Sequence, residues 1–153
     1  MAKTTKITKT NTKKVKNEDC ATNGIVHFEI PADNIERAKE FYTTIFGWQI
    51  NKYEMGKNSG HEYYGVRTTP VDDKMMPIKP GAINGGMMKR VNPGQPFMNY
   101  IHVEDIDKML KTIVAKGGKI CLPKQEIGKS MGWIACFQDT EGNLMGLHQM
   151  GEK

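Results

Sequence analysis

The sequence predicts an α+β fold built from two βαβββ modules, and three features carry that prediction. Residues 24–48, GIVHFEIPADNIERAKEFYTTIFGW, read as a strand feeding a helix. Roughly seventy residues later, NYIHVEDIDKMLKTIVAKGGKI, residues 99–120, repeats the pattern. Each copy is followed by strand-like text cut by Gly and Pro, so each half reads strand, helix, strand, strand, strand.

In the first strand Val26, Phe28 and Ile30 alternate with His27 and Glu29, which lays three apolar side chains on one face and two chemically capable ones on the other. Asp33 is placed to cap the next helix, with Glu36 at capping-box spacing; Ile35, Ala38, Phe41, Tyr42 and Ile45 then recur at helical period until Gly47. That helix is expected over 34–46. Residues 48–53 and 61–68 flank the loop 56–60 and read as a hairpin. Beyond Pro70, Pro77 and Pro80, GAINGGMMKRV is a third strand weakened by Gly85 and Gly86, where a ligand or another backbone can come close. In the second half Ile101 and Val103 alternate with Tyr100 and His102, Asp105 caps, and Ile106, Met109, Leu110, Ile113 and Val114 stripe a helix over 105–116 that Gly117 ends. Strands are expected at 119–122, 132–138 and 144–150, with a turn at 139–143.

At 153 residues the chain is sized for one domain with a sizeable core. Its formal charge of +5 is concentrated at the start: residues 1–19 hold six Lys against Glu18 and Asp19, a sum of +4, which leaves the body at +1. A nearly neutral body lacks a broad footprint for phosphates, which argues against a nucleic-acid partner beyond weak contacts of the tail. Residues 1–22 are Lys- and Thr-rich with few apolar side chains and are expected to be a disordered basic tail ahead of a single domain over 23–151, its modules at about 24–91 and 97–150. No apolar run has the length of a secretory signal core or a spanning helix, so a cytoplasmic protein without membrane contact is expected. Cys20, Cys121 and Cys136 are odd in number and lack CxxC spacing, so neither a disulfide framework nor a thiolate zinc site is signalled.

HFEIPADNIERAKEFYTTIFGW, YIHVEDID, GGKI and MGWIACFQDTEGNLMGLHQ together resemble the vicinal oxygen chelate superfamily, the group of glyoxalases, bleomycin-resistance proteins and extradiol dioxygenases. The resemblance covers residues 24–150. It implies that each βαβββ module forms a curved mixed sheet and that two modules enclose a cavity, within one chain or across a twofold axis; because relatives commonly pair and exposed edges of open sheets invite pairing, a homodimer is expected. Strand parity then leaves His27 and Glu29 for the cavity from the first strand, Met98, Tyr100 and His102 from the fifth, and Leu144, Gly146 and His148 from the last. His27 and Glu29 are the catalytic candidates. Trp48, Tyr64, Met98, Tyr100, His102, Trp133 and His148 are the candidates for contact with a small organic molecule.

The same resemblance implies a divalent cation held by one ligand from each of four strands. The matching positions are His27, Met98, Gly146 and a residue near Gly86 or Met87. Glycine and a thioether offer no oxygen or imidazole donor, so no metal and no other cofactor is expected at the inherited site. His102 lies about 13 Å from Met98 along an extended strand and cannot stand in for it. A displaced site of His27, Glu29 and His148, holding Zn, Ni, Fe or Mn, is the alternative. Two functions follow: a metal-free small-molecule binder resembling the bleomycin-resistance branch, or an enzyme resembling lactoylglutathione lyase or a related lyase, isomerase or dioxygenase. In the enzyme reading His27 or Glu29 moves a proton beside a carbonyl. If Gly146 leaves room for a larger side chain, Met98→His with Gly146→Glu is expected to rebuild a divalent site.

Overall fold

The computed structural model describes residues 23–54, 62–128 and 130–151. The basic segment 1–22 and the loop 56–60 lie outside the described residues. The chain runs β1 (Ile25–Ala32), α1 (Ile35–Phe46), β2 (Gln49–Tyr53), β3 (Tyr63–Arg67), β4 (Gly85–Lys89), β5 (Met98–His102), α2 (Ile106–Ala115), β6 (Lys119–Gly128), β7 (Gly132–Gln138) and β8 (Leu144–Gln149). One curved, open, mixed sheet holds all eight strands in the order β2-β3-β4-β1-β5-β8-β7-β6. The pairings repeat: β1 with β4 and β5 with β8 are parallel, while the remaining neighbours within each half are antiparallel. β1 and β5 pair antiparallel and join the halves within this one chain, with Val26 bulged out of register between Ile25 and His27.

Period-two alternation decides what each face does. Phe28, Ile30, Ile50, Tyr64, Val66 and Met87 pack with Ile35, Ala38 and Tyr42 of α1. Ile101, Val103, Ala135 and Leu147 pack with Ile106, Met109, Leu110 and Ile113 of α2. Each half therefore has its own core on the helix-bearing side. Met87, Ile106, Leu147, Val66 and Val103 are fully buried, and each such side chain contributes about 1.5–3 kcal/mol through the area it removes from water. The opposite, open face carries the alternate residues.

Three local expectations are corrected. Asn34, not Asp33, caps α1: β1 runs on to Ala32, Asn34 has extended backbone angles, and its side chain accepts from the Arg37 N–H at 2.9 Å. Asp33 instead accepts from Arg90 Nε at 3.0 Å. Asn34→Ala is expected to lower unfolding stability by about 1 kcal/mol in urea titrations, and a larger loss from Asp33→Ala would reverse the assignment. β6 continues through Pro123 to Gly128 instead of stopping at Leu122; as an edge strand it can leave one side unpaired, where proline's missing N–H is harmless. Finally, β1 absorbs Pro31 and Ala32, which read as loop residues in the sequence. Among the described residues no helix is long and apolar enough to cross a membrane.

Candidate active site on the open face of the sheet

The seam between β1 and β5 places polar side chains opposite one another on the open face. His27 is the cross-strand partner of Tyr100, and Glu29 that of Met98. The Tyr100 hydroxyl donates to Glu29 Oε2 at 2.7 Å, and the His27 and Tyr100 rings meet edge to face at 5.8 Å. From β3, the Tyr63 hydroxyl lies 2.7 Å from His27 Nε2 and donates to Glu29 Oε1 at 3.3 Å. With one proton on its oxygen, Tyr63 can donate to Glu29 only while His27 Nε2–H donates to it, so these distances describe a chain from His27 through Tyr63 to the carboxyl.

Two glycines make this arrangement possible. Gly86 of β4 is the partner of Glu29, and a β-carbon there would overlap the Tyr63 hydroxyl. Gly146 of β8 is the partner of Tyr100, and a β-carbon there would fall 2.7 Å from Tyr100 Cγ and still closer to two other ring atoms. The phenols thus lie flat on backbone that no other residue type would leave bare.

Burial sets the protonation states. Desolvation lowers His27 to about 4, with repulsion from His148 adding to it, so the imidazole is neutral at neutral pH. Desolvation raises Glu29 above the usual carboxylate range, opposed by the hydrogen bonds from Tyr100 and Tyr63. Burial, and then the neighbouring Glu29 carboxylate, push both tyrosines up, so they remain O–H donors. Cys136, whose thiol burial pushes up to about 11, sits 3.8 Å from Met98 Sδ beside this cluster.

The sequence-predicted residues divide between the two faces. His27, Glu29, Met98 and Tyr100 come together at the seam. His102 and His148, also on the open face, pair across β5 and β8 with ring centroids 6.2 Å apart; His148 Nε2 is held 2.8 Å from the Met131 carbonyl. Trp48, Tyr64 and Trp133 do not join them. Tyr64 is buried in the first core beside Ile50, Val66 and Met87. Trp48 stacks on Tyr42 at 5.0 Å, and Trp133 packs against the second core with Lys124 Nζ 5.2 Å above its ring. The residue that sequence reasoning missed is Tyr63, one position from Tyr64. The signal was Val66: a β-branched side chain on the core face forces Tyr64 to the same face and Tyr63 to the other.

The residues present do not fit the metal ion of the family's metal-dependent branch. Met87 is in the core, so the first-half position belongs to Gly86, and phenols fill the space above both Gly86 and Gly146. Gly146 leaves no room for Glu, which corrects the expectation for the paired Met98→His and Gly146→Glu substitutions. Among the described residues no group of three His, Cys, Asp or Glu side chains could hold an ion, the set His27, Glu29 and His148 included. A separate open depression of about 550 Å³ is lined by Asp33, Arg90, Val91, Asn92 and Pro93, away from the seam; its Arg90 is engaged by Asp33 and the carbonyls of Gln95 and Pro31.

Duplicated βαβββ halves with a polar seam on the open face define a class, and comparison with known proteins agrees. Residues 24–62 match the bleomycin resistance protein-like N-terminal family. A glyoxylase-like domain-containing protein of Didymella fabae is 30% identical over 119 residues, covering 75% of this chain and 84% of that protein. The chain belongs to the glyoxalase-like vicinal oxygen chelate superfamily. A Mycobacterium tuberculosis protein with a provisional glyoxylase name is 29% identical over 113 residues, 73% of this chain but only 40% of that longer protein. Among solved structures, methylmalonyl-CoA epimerase from Mycobacterium tuberculosis superposes with a TM-score of 0.61 at 16% identity, over 87% of this chain and 93% of its own. That likeness concerns the fold alone.

Proposed function

We propose that this domain binds a small organic molecule on the open face of its sheet, without the divalent ion of the metal-dependent branch. One observation carries the reading: Tyr63 and Tyr100 cover Gly86 and Gly146, the backbone positions where metal ligands would project, and turn both oxygens of Glu29 toward hydroxyl donors. The result is a compact set of neutral donors and one carboxyl, suited to a molecule with carbonyl or hydroxyl oxygens and not to a hard cation. The match of the first half to the bleomycin-resistance-like family supports the same reading.

Protein purified without an affinity tag is expected to carry no stoichiometric Zn, Ni, Fe or Mn, and calorimetric titration with ZnCl₂ or NiCl₂ should give no heat attributable to a specific site. Stoichiometric zinc or nickel that His27→Ala abolishes would overturn metal independence. It would favour the displaced site of His27, Glu29 and His148 in a lyase or isomerase.

A further inference from the structure

We propose that Cys121 and Cys136 form a modification site: a hydroperoxide joins them in a reversible disulfide that ties the edge strand β6 to β7 and draws Cys136 away from the seam. The bond itself is independent of what the open face binds; its bearing on a ligand rests on the binding reading above.

The pair arises from an irregularity in the β6–β7 ladder. Ile120 is the partner of Phe137 and Leu122 that of Cys136, so the register slips between them and Cys121 and Leu122 together oppose Cys136. Antiparallel neighbours stand about 4.5–5.5 Å apart at Cα, inside the roughly 4.4–6.8 Å that a disulfide spans. Both thiols are free. Cys121 Sγ touches the Lys119 carbonyl at 3.9 Å, a weak contact that rotation about χ1 releases. β6 has β7 as its one neighbour in the sheet and slips register at two further points, so it can shift by the small distance that bond formation needs.

Exposure divides the roles. Cys121 is exposed and meets a dissolved oxidant first; Cys136 is buried, its sulfur 3.8 Å from Met98 Sδ. Burial, then the charges of Glu29 and Cys121, push the Cys136 thiol up to about 11, so it stays protonated and does not react with peroxide itself. That the Cys121 charge reaches Cys136 is a second sign that the two sulfurs are neighbours.

In the first step the Cys121 thiolate attacks one peroxide oxygen, the O–O bond breaks, and the departing oxygen takes up a proton. Cys121 is then a sulfenic acid. The Cys136 sulfur next bonds to the Cys121 sulfur, and its proton leaves with the sulfenic hydroxyl as water. The two thiols lose two electrons, and hydrogen peroxide becomes two waters. A dithiol reverses the change by thiol–disulfide exchange. Met98 is the partner of Glu29, and Cys136 that of Gly146 beneath Tyr100, so swinging the Cys136 sulfur toward β6 loosens the wall of the seam beside both.

The test treats the full chain with hydrogen peroxide, blocks the remaining thiols with N-ethylmaleimide and maps the peptides. Wild type and Cys20→Ser should both yield a peptide pair joined at Cys121 and Cys136 from monomeric protein, and dithiothreitol should remove it. Cys121→Ser should slow loss of the Cys136 thiol about 10-fold or more, because the reactive thiolate is gone. Cys136→Ala, which lacks the resolving thiol, should instead accumulate sulfinic acid at Cys121. In protein labelled with carbon-13 at the methionine methyls, the resonance missing from Met98→Leu should move on oxidation and return with dithiothreitol. Absence of the joined pair from both wild type and Cys20→Ser, linkage of Cys121 only to Cys20 or to a second chain, or equal oxidation of Cys136 in Cys121→Ser overturns the disulfide. An oxidised protein whose Met98 methyl does not move overturns its effect on the seam.

Discussion

Gly146→Ala should lower unfolding stability by about 3 kcal/mol, although it adds a single methyl group to a strand. Tyr100 is only 4% exposed and its ring rests on Gly146, so a β-carbon there collides with ring atoms that have nowhere to go. Either the strands separate locally or the ring rotates away. Overpacking of this kind costs about 1–3 kcal/mol, and rotation adds the loss of the Tyr100–Glu29 hydrogen bond, which leaves a buried acceptor unmet at about 1–3 kcal/mol. The collision should disappear when the ring does. In a double-mutant cycle, Gly146→Ala should be almost neutral in a Tyr100→Ala background, a coupling of about 2 kcal/mol or more. Additivity within about 0.5 kcal/mol would show that the glycine serves some other purpose.

Acidification should destabilise the protein through His27. Its folded-state value is lowered from 6.5 to about 4 by burial and by His148, while the Tyr63 hydroxyl is hydrogen-bonded to it, the Tyr100 ring meets it edge to face, and Glu29 lies beyond Tyr63 in the same chain of hydrogen bonds. The native state therefore holds fewer protons on this group than the unfolded chain between those two values. Stability from this source is complete above the unfolded value of 6.5 and is lost as pH falls toward about 4, for a total of about 3 kcal/mol. Glu29 acts with the opposite sign: its raised folded value contributes stability at low pH that is lost as pH rises above the unfolded carboxyl value. The comparison must hold Glu29 constant. Urea titrations at pH 7.5 and 4.0 should show wild type losing about 3 kcal/mol more than His27→Gln, and equal losses would refute a buried neutral imidazole.

The fold was legible because its signals are strong and repeated. From His27 on, Phe28 and Ile30 mark one face of β1 by simple alternation, Ile101 and Val103 do the same in β5, and residues of the α1 and α2 stripes pack on those faces, whereas Val26, read from the sequence as part of that face, lies in the bulge. The same parity placed His27, Glu29 and Tyr100 on the open face. It does not separate the aromatic residues of β3, of β7 and just after α1, where alternation alone leaves the phase open. Tyr63 and Tyr64 are adjacent, and only the core positions of Val66 and Ile50 decide which one points inward. Trp48 and Trp133 looked suited to stacking on a ligand, but large aromatic rings usually serve the core, as both do. Gly86 and Gly146 read as lost metal ligands, which is a statement about donors; that the vacated space is filled by Tyr63 and Tyr100 depends on side-chain placement across strands 23 and 46 positions apart, beyond any local pattern.

The bulge at Val26 has a bearing on how such a site can change over time. Because side chains alternate at every step, one residue inserted or removed in β1 exchanges its inner and outer faces from that point on. The extra residue in the ladder between Ile25 and His27 acts as a phase setting: past it, imidazole and carboxylate face the phenols, while Phe28 and Ile30 face α1. A shift of that bulge by one residue would carry Phe28 and Ile30 out of the first core and His27 and Glu29 into it. One position in the ladder therefore ties the chemistry of the open face to the packing of α1, and neither can be re-phased without the other.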